Sequence, residues 1–123
     1  MITRDQMMPM LLSACPSFVE PWQRYVEAPG YEDDLLYLHL NEFASHVVGL
    51  LKAGEARELD AVFATVETLH KEGDRSVCEA ATIGILEGVQ NIAEDTGFDP
   101  DSFVPYLRTE SAIWWRRLSD FWK

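Results

Sequence analysis

The stretch LYLHLNEFASHVVGLLKAG, residues 36–54, contains the clearest helical pattern in the chain. Its large apolar side chains recur three and four residues apart, which places them on one face of a helix. They are Leu36, Leu40, Phe43, Val47, Leu50 and Leu51. Gly54 follows the last of them and can adopt the left-handed conformation that ends many helices. The pattern predicts a helix from about Asp33 to Ala53.

Comparable patterns predict helices over most of the remaining sequence. The expected helices run from Thr3 to about Ala14, from near Pro21 to before Pro29, within 55–72 with Gly73 as the stop, from Asp74 to about Thr96, briefly from Asp99, and from Thr109 to Trp122. No segment alternates between apolar and polar residues with the period of a strand. The predicted fold class is therefore all-α, an irregular antiparallel bundle of six or seven helices, with a short superhelical stack of helix pairs as the alternative.

The length and composition predict one globular domain over residues 1–123. Of the 123 residues, 47% are hydrophobic, which is enough for a substantial core. No apolar run approaches the ~20 residues of a membrane-spanning helix, so no membrane association is expected. The opening residues MITRDQMMPMLLSACP carry one Arg and one Asp around a short apolar patch, and we interpret them as a helix of a cytoplasmic protein.

The charge distribution bears on the kind of partner that the chain can bind. The formal net charge of −11 argues against binding to nucleic-acid phosphates. Residues 1–107 hold 19 acidic and 6 basic side chains, whereas residues 108–123 hold 2 and 4. This acidic body favours either simple solubility or the binding of a basic protein partner.

Two pairs of histidine and glutamate suggest a metal site. His39 and Glu42 precede the turn at Gly54 by about as many residues as Glu67 and His70 follow it. Folding the chain there would bring the pairs to similar heights on two neighbouring helices. Two imidazoles and two carboxylates suit a single zinc, iron or manganese ion, and no other cofactor is predicted. A purely structural role on two packed helices is nevertheless the favoured interpretation of these residues; the alternatives are the single-metal site and, least favoured, acid–base chemistry.

The motif search indicates no catalytic centre. The two glycines of Gly84-x-x-x-Gly88 predict close helix packing and do not match a phosphate-binding loop. Ser45 and His46 are adjacent in sequence, so on a helix their side chains diverge. Cys15 and Cys78 lack paired zinc spacing. The chain is therefore expected not to be an enzyme, although the sequence leaves that question open.

The C-terminal segment SAIWWRRLSDFWK is dense in aromatic residues. Helical spacing predicts that one face packs on the bundle, formed by Trp114, Leu118, Phe121 and Trp122. Trp115, Arg116 and Arg117 would then lie toward the surface as an interface, because Trp and Arg are enriched at binding hot spots. A homodimer that pairs this basic end with the acidic body is one expectation, and a broad core-facing helix is the other.

Residues 59–91 resemble a pattern in small, functionally uncharacterised bacterial helical proteins. The matching residues are Phe63, Glu67, Leu69, Gly73, Asp74, Val77, Leu86 and Glu87. More loosely, the chain is similar to acidic all-α immunity proteins that neutralise basic toxins. The first resemblance supports the helical fold more than any function. The predicted function is a non-enzymatic, cytoplasmic protein-interaction module, and the second resemblance implies an immunity-like role for it. The alternative is a metal- or small-ligand-binding protein that uses His39, Glu42, Glu67 and His70.

Overall fold

The computed structural model describes residues 1–121, and within that range it contains seven α-helices. The helices are α1 (Arg4–Ala14), α2 (Val19–Glu27), α3 (Leu36–Lys52), α4 (Leu59–Glu72), α5 (Arg75–Glu79), α6 (Glu87–Asp95) and α7 (Thr109–Phe121). A π-helical segment, Ala80–Leu86, joins α5 to α6, and short 3-10 segments cover Pro16–Phe18 and Pro100–Tyr106. One isolated bridge pairs Ile2 with Gly73, and the described residues form no strand. The predicted all-α class is confirmed.

The helix ends follow the predicted stop and cap signals closely. The backbone N–H of Thr3 donates to Gln6 Oε1 at 2.8 Å at the start of α1. Gly54 and Gly97 both adopt φ of 75°, which only glycine reaches without strain. Gly73 also follows the end of its helix, but its φ of −76° and ψ of 154° give it an extended conformation. The third helix begins at Leu36, later than the predicted Asp33. Asp33 and Asp34 lie in the loop before it.

The predicted fifth helix is one continuous helical stretch with a wide turn in its middle. This π-helical turn contains Gly84, where an added Cβ atom would lie 2.7 Å from Leu40 Cδ1. A Cβ atom on Gly88 would lie 3.2 Å from that of Ala44. Both glycines therefore let α3 approach closely, as the Gly84-x-x-x-Gly88 spacing predicts.

The hydrophobic core lies between α3, α4 and the helical stretch from α5 to α6. α3 packs along α6 and the π-helical segment, α1 packs on α4, and α7 covers both α4 and the π-helical segment. The largest fully buried side chains are Phe43, Phe63 and Phe103. Between residues 1 and 121, no helix combines the length and apolar character needed to cross a membrane.

The last helix, α7, packs on the bundle with a different face from the predicted one. Its buried residues are Ser111, Trp115 and Leu118, and Trp115 is only 4% exposed. Phe121, predicted to be buried, is 76% exposed, and Trp122 lies outside the described residues. The expectation that Trp115 lies at the surface is wrong. Arg116 and Arg117 are exposed, as predicted.

Candidate functional sites

Glu67, one of the predicted metal ligands, holds the beginning of α7 against α4. Its two carboxylate oxygens accept the backbone N–H groups of Glu110 at 2.9 Å and Ser111 at 3.0 Å. These N–H groups lack partners inside their own helix, and a negative charge there also interacts favourably with the helix dipole. Burial raises the pKa of Glu67, but the hydrogen bonds outweigh that effect and the pKa is lowered. Glu67 is thus an ionised helix cap.

His70 is buried one helical turn further along α4 and connects three segments. Its Nδ1 lies 2.9 Å from Ser111 Oγ, and its Nε2 lies 3.0 Å from Thr82 Oγ1 in the π-helical segment. Thr82 donates its own proton to the carbonyl of Cys78, so it accepts from Nε2–H. A neutral ring then accepts the Ser111 proton at Nδ1. Burial lowers the pKa of His70 despite the nearby charge of Glu67, which agrees with the neutral form.

His39, the third predicted ligand, belongs to a cluster of four aromatic rings contributed by α2, the loop after it and α3. The rings of Trp22, Tyr25, Tyr31 and His39 all contact one another, with centroid separations from 5.0 to 6.2 Å. The imidazole is stacked on Tyr31, and its Nε2 lies 2.9 Å from the carbonyl oxygen of Glu32. His39 is buried, whereas the other three rings are half-buried.

Exposed carboxylates border these rings. Burial raises the pKa of Tyr25, and the negative charge of Glu42 raises it further. Burial likewise raises the pKa of Tyr31, to which Asp33 adds both a hydrogen bond and a charge. Glu32 and Asp34 are the exposed neighbours of Asp33 in the same loop. We call the four rings together with these exposed acidic residues the acidic aromatic surface; the acidic residues are Glu32, Asp33, Asp34 and Glu42.

The four predicted metal ligands do not form a cluster with ligand atoms close to one another. Within residues 1–121, one group of at least three His, Cys, Asp or Glu side chains has ligand atoms within 4.8 Å of one another. It consists of Cys15, His46 and Glu58. Metal binding by His39, Glu42, Glu67 and His70 stays a prediction, and it would require the hydrogen bonds of Glu67 and His70 to be given up.

The group of Cys15, His46 and Glu58 joins the turn after α1 to α3 and to the start of α4. Ser17 Oγ lies at its centre, 2.8 Å from His46 Nε2, and donates to Glu58 Oε1. The backbone N–H of Ser17 donates to Glu58 Oε2 at 3.0 Å, and the Cys15 thiol donates to Glu58 Oε1 at 3.4 Å. The Phe18 ring covers His46, with the centroids 5.1 Å apart. We call these four side chains the Cys15–Glu58 cluster; its members are Cys15, Ser17, His46 and Glu58.

The protonation states of the cluster follow from its burial. Burial raises the pKa of the Cys15 thiol to about 11, so the sulfur carries its proton at neutral pH. Burial also lowers the pKa of His46, against the charge of Glu58. Burial raises the pKa of Glu58, but the hydrogen bonds from Ser17 outweigh it and the pKa is lowered. The cluster is a neutral thiol and a neutral imidazole around an ionised carboxylate.

The sequence did not predict most residues of the Cys15–Glu58 cluster or of the acidic aromatic surface as site residues. His46 stands in the quoted stretch, but Cys15, Ser17 and Glu58 come from two turns with no recognisable motif. The acidic aromatic surface had a clearer signal, because Trp22 and Tyr25 lie one helical turn apart and precede a run of acidic residues.

Comparison with known proteins identifies the family. The family model of a domain of unknown function, DUF7674, matches residues 8–123. The chain belongs to this family. No curated protein and no solved structure matches this chain.

Proposed function

We propose that this member of the DUF7674 family is a protein-binding module whose acidic aromatic surface accepts an arginine- and lysine-rich segment of a basic protein. The observation that carries the proposal is the contact of four rings at an exposed edge of the bundle, bordered by exposed carboxylates. The proposed role is binding without catalysis.

The charges of the surrounding segment favour a cationic partner. Residues 20–42 contain six acidic side chains and one basic one, Arg24. Arg24 is already paired with Glu20, with 2.8 Å between Nη1 and Oε1. The remaining carboxylates attract cations, and this attraction increases the rate of association with a basic protein.

The rings favour arginine in particular. A guanidinium group can stack on an aromatic face while its N–H groups pair with a carboxylate, which a compact ammonium group does less well. Trp22, Tyr25 and Tyr31 each keep part of their surface exposed, and Leu38, on the first turn of α3, is 57% exposed. Exposed aromatic and aliphatic side chains among charged ones are typical of a binding surface.

The loose similarity to acidic immunity proteins suggests which basic proteins to consider first. In that class, an acidic helical protein neutralises a basic toxin. A toxin is therefore the partner class that we would test first in cells, by co-expression with this chain. The biophysical proposal requires only that the partner presents a basic segment.

A peptide-binding experiment tests the proposal. An arginine-rich synthetic peptide should bind the full chain, and the same peptide with glutamine in place of arginine should not. Reversing three charges with E32K/D33K/D34K should weaken binding by at least about tenfold, because it removes the carboxylates beside the rings. Tyr31→Leu, which keeps apolar bulk but removes the ring, should weaken it by about two- to thirtyfold.

A matched control separates the surface from the net charge. The triple variant E94K/D95K/D101K makes the same charge change on exposed residues of α6 and the following 3-10 segment. It should retain most of the affinity. Equal weakening by both triple variants would mean that the peptide senses only the overall charge, and the proposal would then be wrong.

A further inference from the structure

The Cys15–Glu58 cluster has the donor set and the arrangement of a metal site, although nothing in its sequence spacing suggests one. We propose that Cys15, His46 and Glu58 bind a single Zn²⁺ ion, with water or the Ser17 hydroxyl as the fourth ligand. This site is distinct from the acidic aromatic surface, and the inference does not depend on the function proposed for that surface.

The distance between the sulfur and the carboxylate oxygen is close to that of a tetrahedral zinc site. Bonds of about 2.3 Å to sulfur and about 2.0 Å to oxygen separate the two ligand atoms by about 3.5 Å at a tetrahedral angle. Cys15 Sγ and Glu58 Oε1 are 3.4 Å apart, and the imidazole nitrogen lies within 4.8 Å of both. To complete the three-ligand geometry, His46 would move inward and Ser17 Oγ, which lies 2.8 Å from His46 Nε2 and 3.7 Å from Cys15 Sγ, would leave the centre of the cluster.

The surroundings orient the ligands, and the side facing solvent is occupied by the exposed residue Ser17. The backbone N–H of Ser17 holds Glu58 Oε2, which leaves Oε1 facing the thiol. Such contacts to the second oxygen of a carboxylate fix its orientation toward a metal. Cys15 is fully buried and Phe18 shields the imidazole, while Ser17 is exposed. Rotation of the Ser17 side chain would open the route by which a metal and a water molecule enter.

The donor atoms select the metal. One sulfur, one nitrogen and one oxygen suit borderline-soft ions such as Zn²⁺, whereas Mg²⁺ and Ca²⁺ require oxygen ligands. When the ion binds, the thiol proton is released to solvent, and one metal–sulfur bond, one metal–nitrogen bond and one metal–oxygen bond form. The hydrogen bonds that Ser17 makes to His46 and Glu58 Oε1 are replaced.

The test uses the full chain without a histidine tag. Zn²⁺ should bind with one ion per chain in a calorimetric titration, and Co²⁺ should give a charge-transfer absorption band that reports cobalt–thiolate bonding. Cys15→Ala should abolish this band, and His46→Gln should weaken Zn²⁺ binding by at least about a hundredfold, because loss of a ligand exceeds the effect of losing its supporting contact. Cys78→Ala removes the other cysteine and should leave both results unchanged.

Two results would overturn the proposal. The first is a wild-type chain that binds no Zn²⁺, which would make the cluster a hydrogen-bonded joint between three segments only. The second is a cobalt–thiolate band that persists in Cys15→Ala or disappears in Cys78→Ala. If Cys15→Ala fails to fold by circular dichroism, Glu58→Gln, which keeps the size of the side chain, should show the same loss of Zn²⁺ affinity.

Discussion

His70 shows how a single polar side chain organises three helical segments in this protein. Both ring nitrogens are hydrogen-bonded to hydroxyl groups, one on α7 and one in the π-helical segment. Among the side-chain nitrogen and oxygen atoms buried in residues 1–121, none lacks a hydrogen-bond partner. A buried polar network with every group satisfied specifies one arrangement of the helices around it. His70 therefore fixes the position of α7, beside the cap that Glu67 supplies.

This environment predicts a pH dependence of stability. Burial lowers the pKa of His70 in the folded chain, so the unfolded chain, with a pKa near about 6.5, binds the proton more readily. The contribution of neutral His70 to the free energy of unfolding is complete above that pH. It is lost as the pH falls through the lowered pKa of the folded state. Chemical denaturation should show a free energy of unfolding that decreases from about pH 7 to about pH 5.

The variant His70→Gln isolates this effect. Its free energy of unfolding should be lower at pH 7 and should fall less steeply on acidification. Part of the slope should remain, because burial also lowers the pKa of His46. Glu67, whose pKa is lowered as well, loses its contribution only below about pH 4.5. Identical slopes for His70→Gln and the wild type would show that His70 does not cause the acid sensitivity.

For single residues, the sequence predicts which polar side chains need a hydrogen-bond partner better than it predicts what that partner is. Glu67 and His70 stand out because polar groups on an apolar helix face need a partner. Their partners on α7, Ser111 and Glu110, lie more than 40 residues away and carry no signal of their own. For Glu67 and His70 the sequence favoured a structural role, with a metal as the alternative, but it did not identify the backbone N–H groups and hydroxyls that the structure places against them.

Among the helices, α3 packs closely on the π-helical segment at Gly84. Helix propensity alone would favour alanine over glycine by about 1 kcal/mol at any position inside a helix. At Gly84, however, a new methyl group would meet Leu40 and Tyr37, both on α3. The sequence predicted this contact correctly, because glycines four residues apart on a helix are a recognisable local pattern.

Alanine substitution at two helical glycines should therefore have opposite effects. Gly84→Ala should destabilise the protein by about 1–2 kcal/mol, since overpacking outweighs the gain in propensity. Gly49→Ala should stabilise it by about 0.5–1 kcal/mol, because Gly49 is exposed on α3 and an added Cβ atom would meet no other atom within 4 Å. Thermal and urea denaturation measure both. Stabilisation by Gly84→Ala would contradict the close approach of the two helices.

The face that α7 presents to the bundle illustrates what hydrophobic periodicity misses. With tryptophan at both 114 and 115, the sequence allows two faces rotated by one residue, and both include Leu118. The small buried residue Ser111 decides between them, because Glu67 and His70 hold it against α4. Trp115 lies one turn further along the same face. Its carbonyl accepts a hydrogen bond from Gln90 at 3.2 Å.

Trp115→Ala should consequently affect folding more than association. Removal of a buried tryptophan side chain should lower the free energy of unfolding by about 3–5 kcal/mol. Arg116→Ala, at the next and exposed position, should change it by less than about 0.5 kcal/mol. Self-association through this helix stays a prediction. Of its predicted interface residues, Arg116 and Arg117 are exposed and Trp115 is buried, while the neighbouring Ile113 is 39% exposed. A fully stable Trp115→Ala variant that only dissociates a dimer in sedimentation would restore Trp115 as an interface residue.

In the whole molecule, the ring cluster lies within residues 20–42, a segment with six acidic side chains and one basic one. The composition allowed a basic partner as the alternative to simple solubility, and it could not say where such a partner binds, because acidic residues occur along most of the chain. Folding brings Trp22 and Tyr25 on α2, Tyr31 in the loop and His39 on α3 into mutual contact. This juxtaposition depends on tertiary structure and is not encoded in any local motif.

The most direct test is a two-dimensional NMR titration of the ¹⁵N-labelled full chain with the arginine-rich peptide. If the acidic aromatic surface binds basic segments, the largest chemical-shift changes will fall within residues 22–42, including the indole N–H of Trp22. The changes should diminish as salt is added, because screening weakens attraction between exposed charges. Changes centred instead on the acidic residues at 91–101 or on α7, or spread evenly over the chain, would contradict the proposed function.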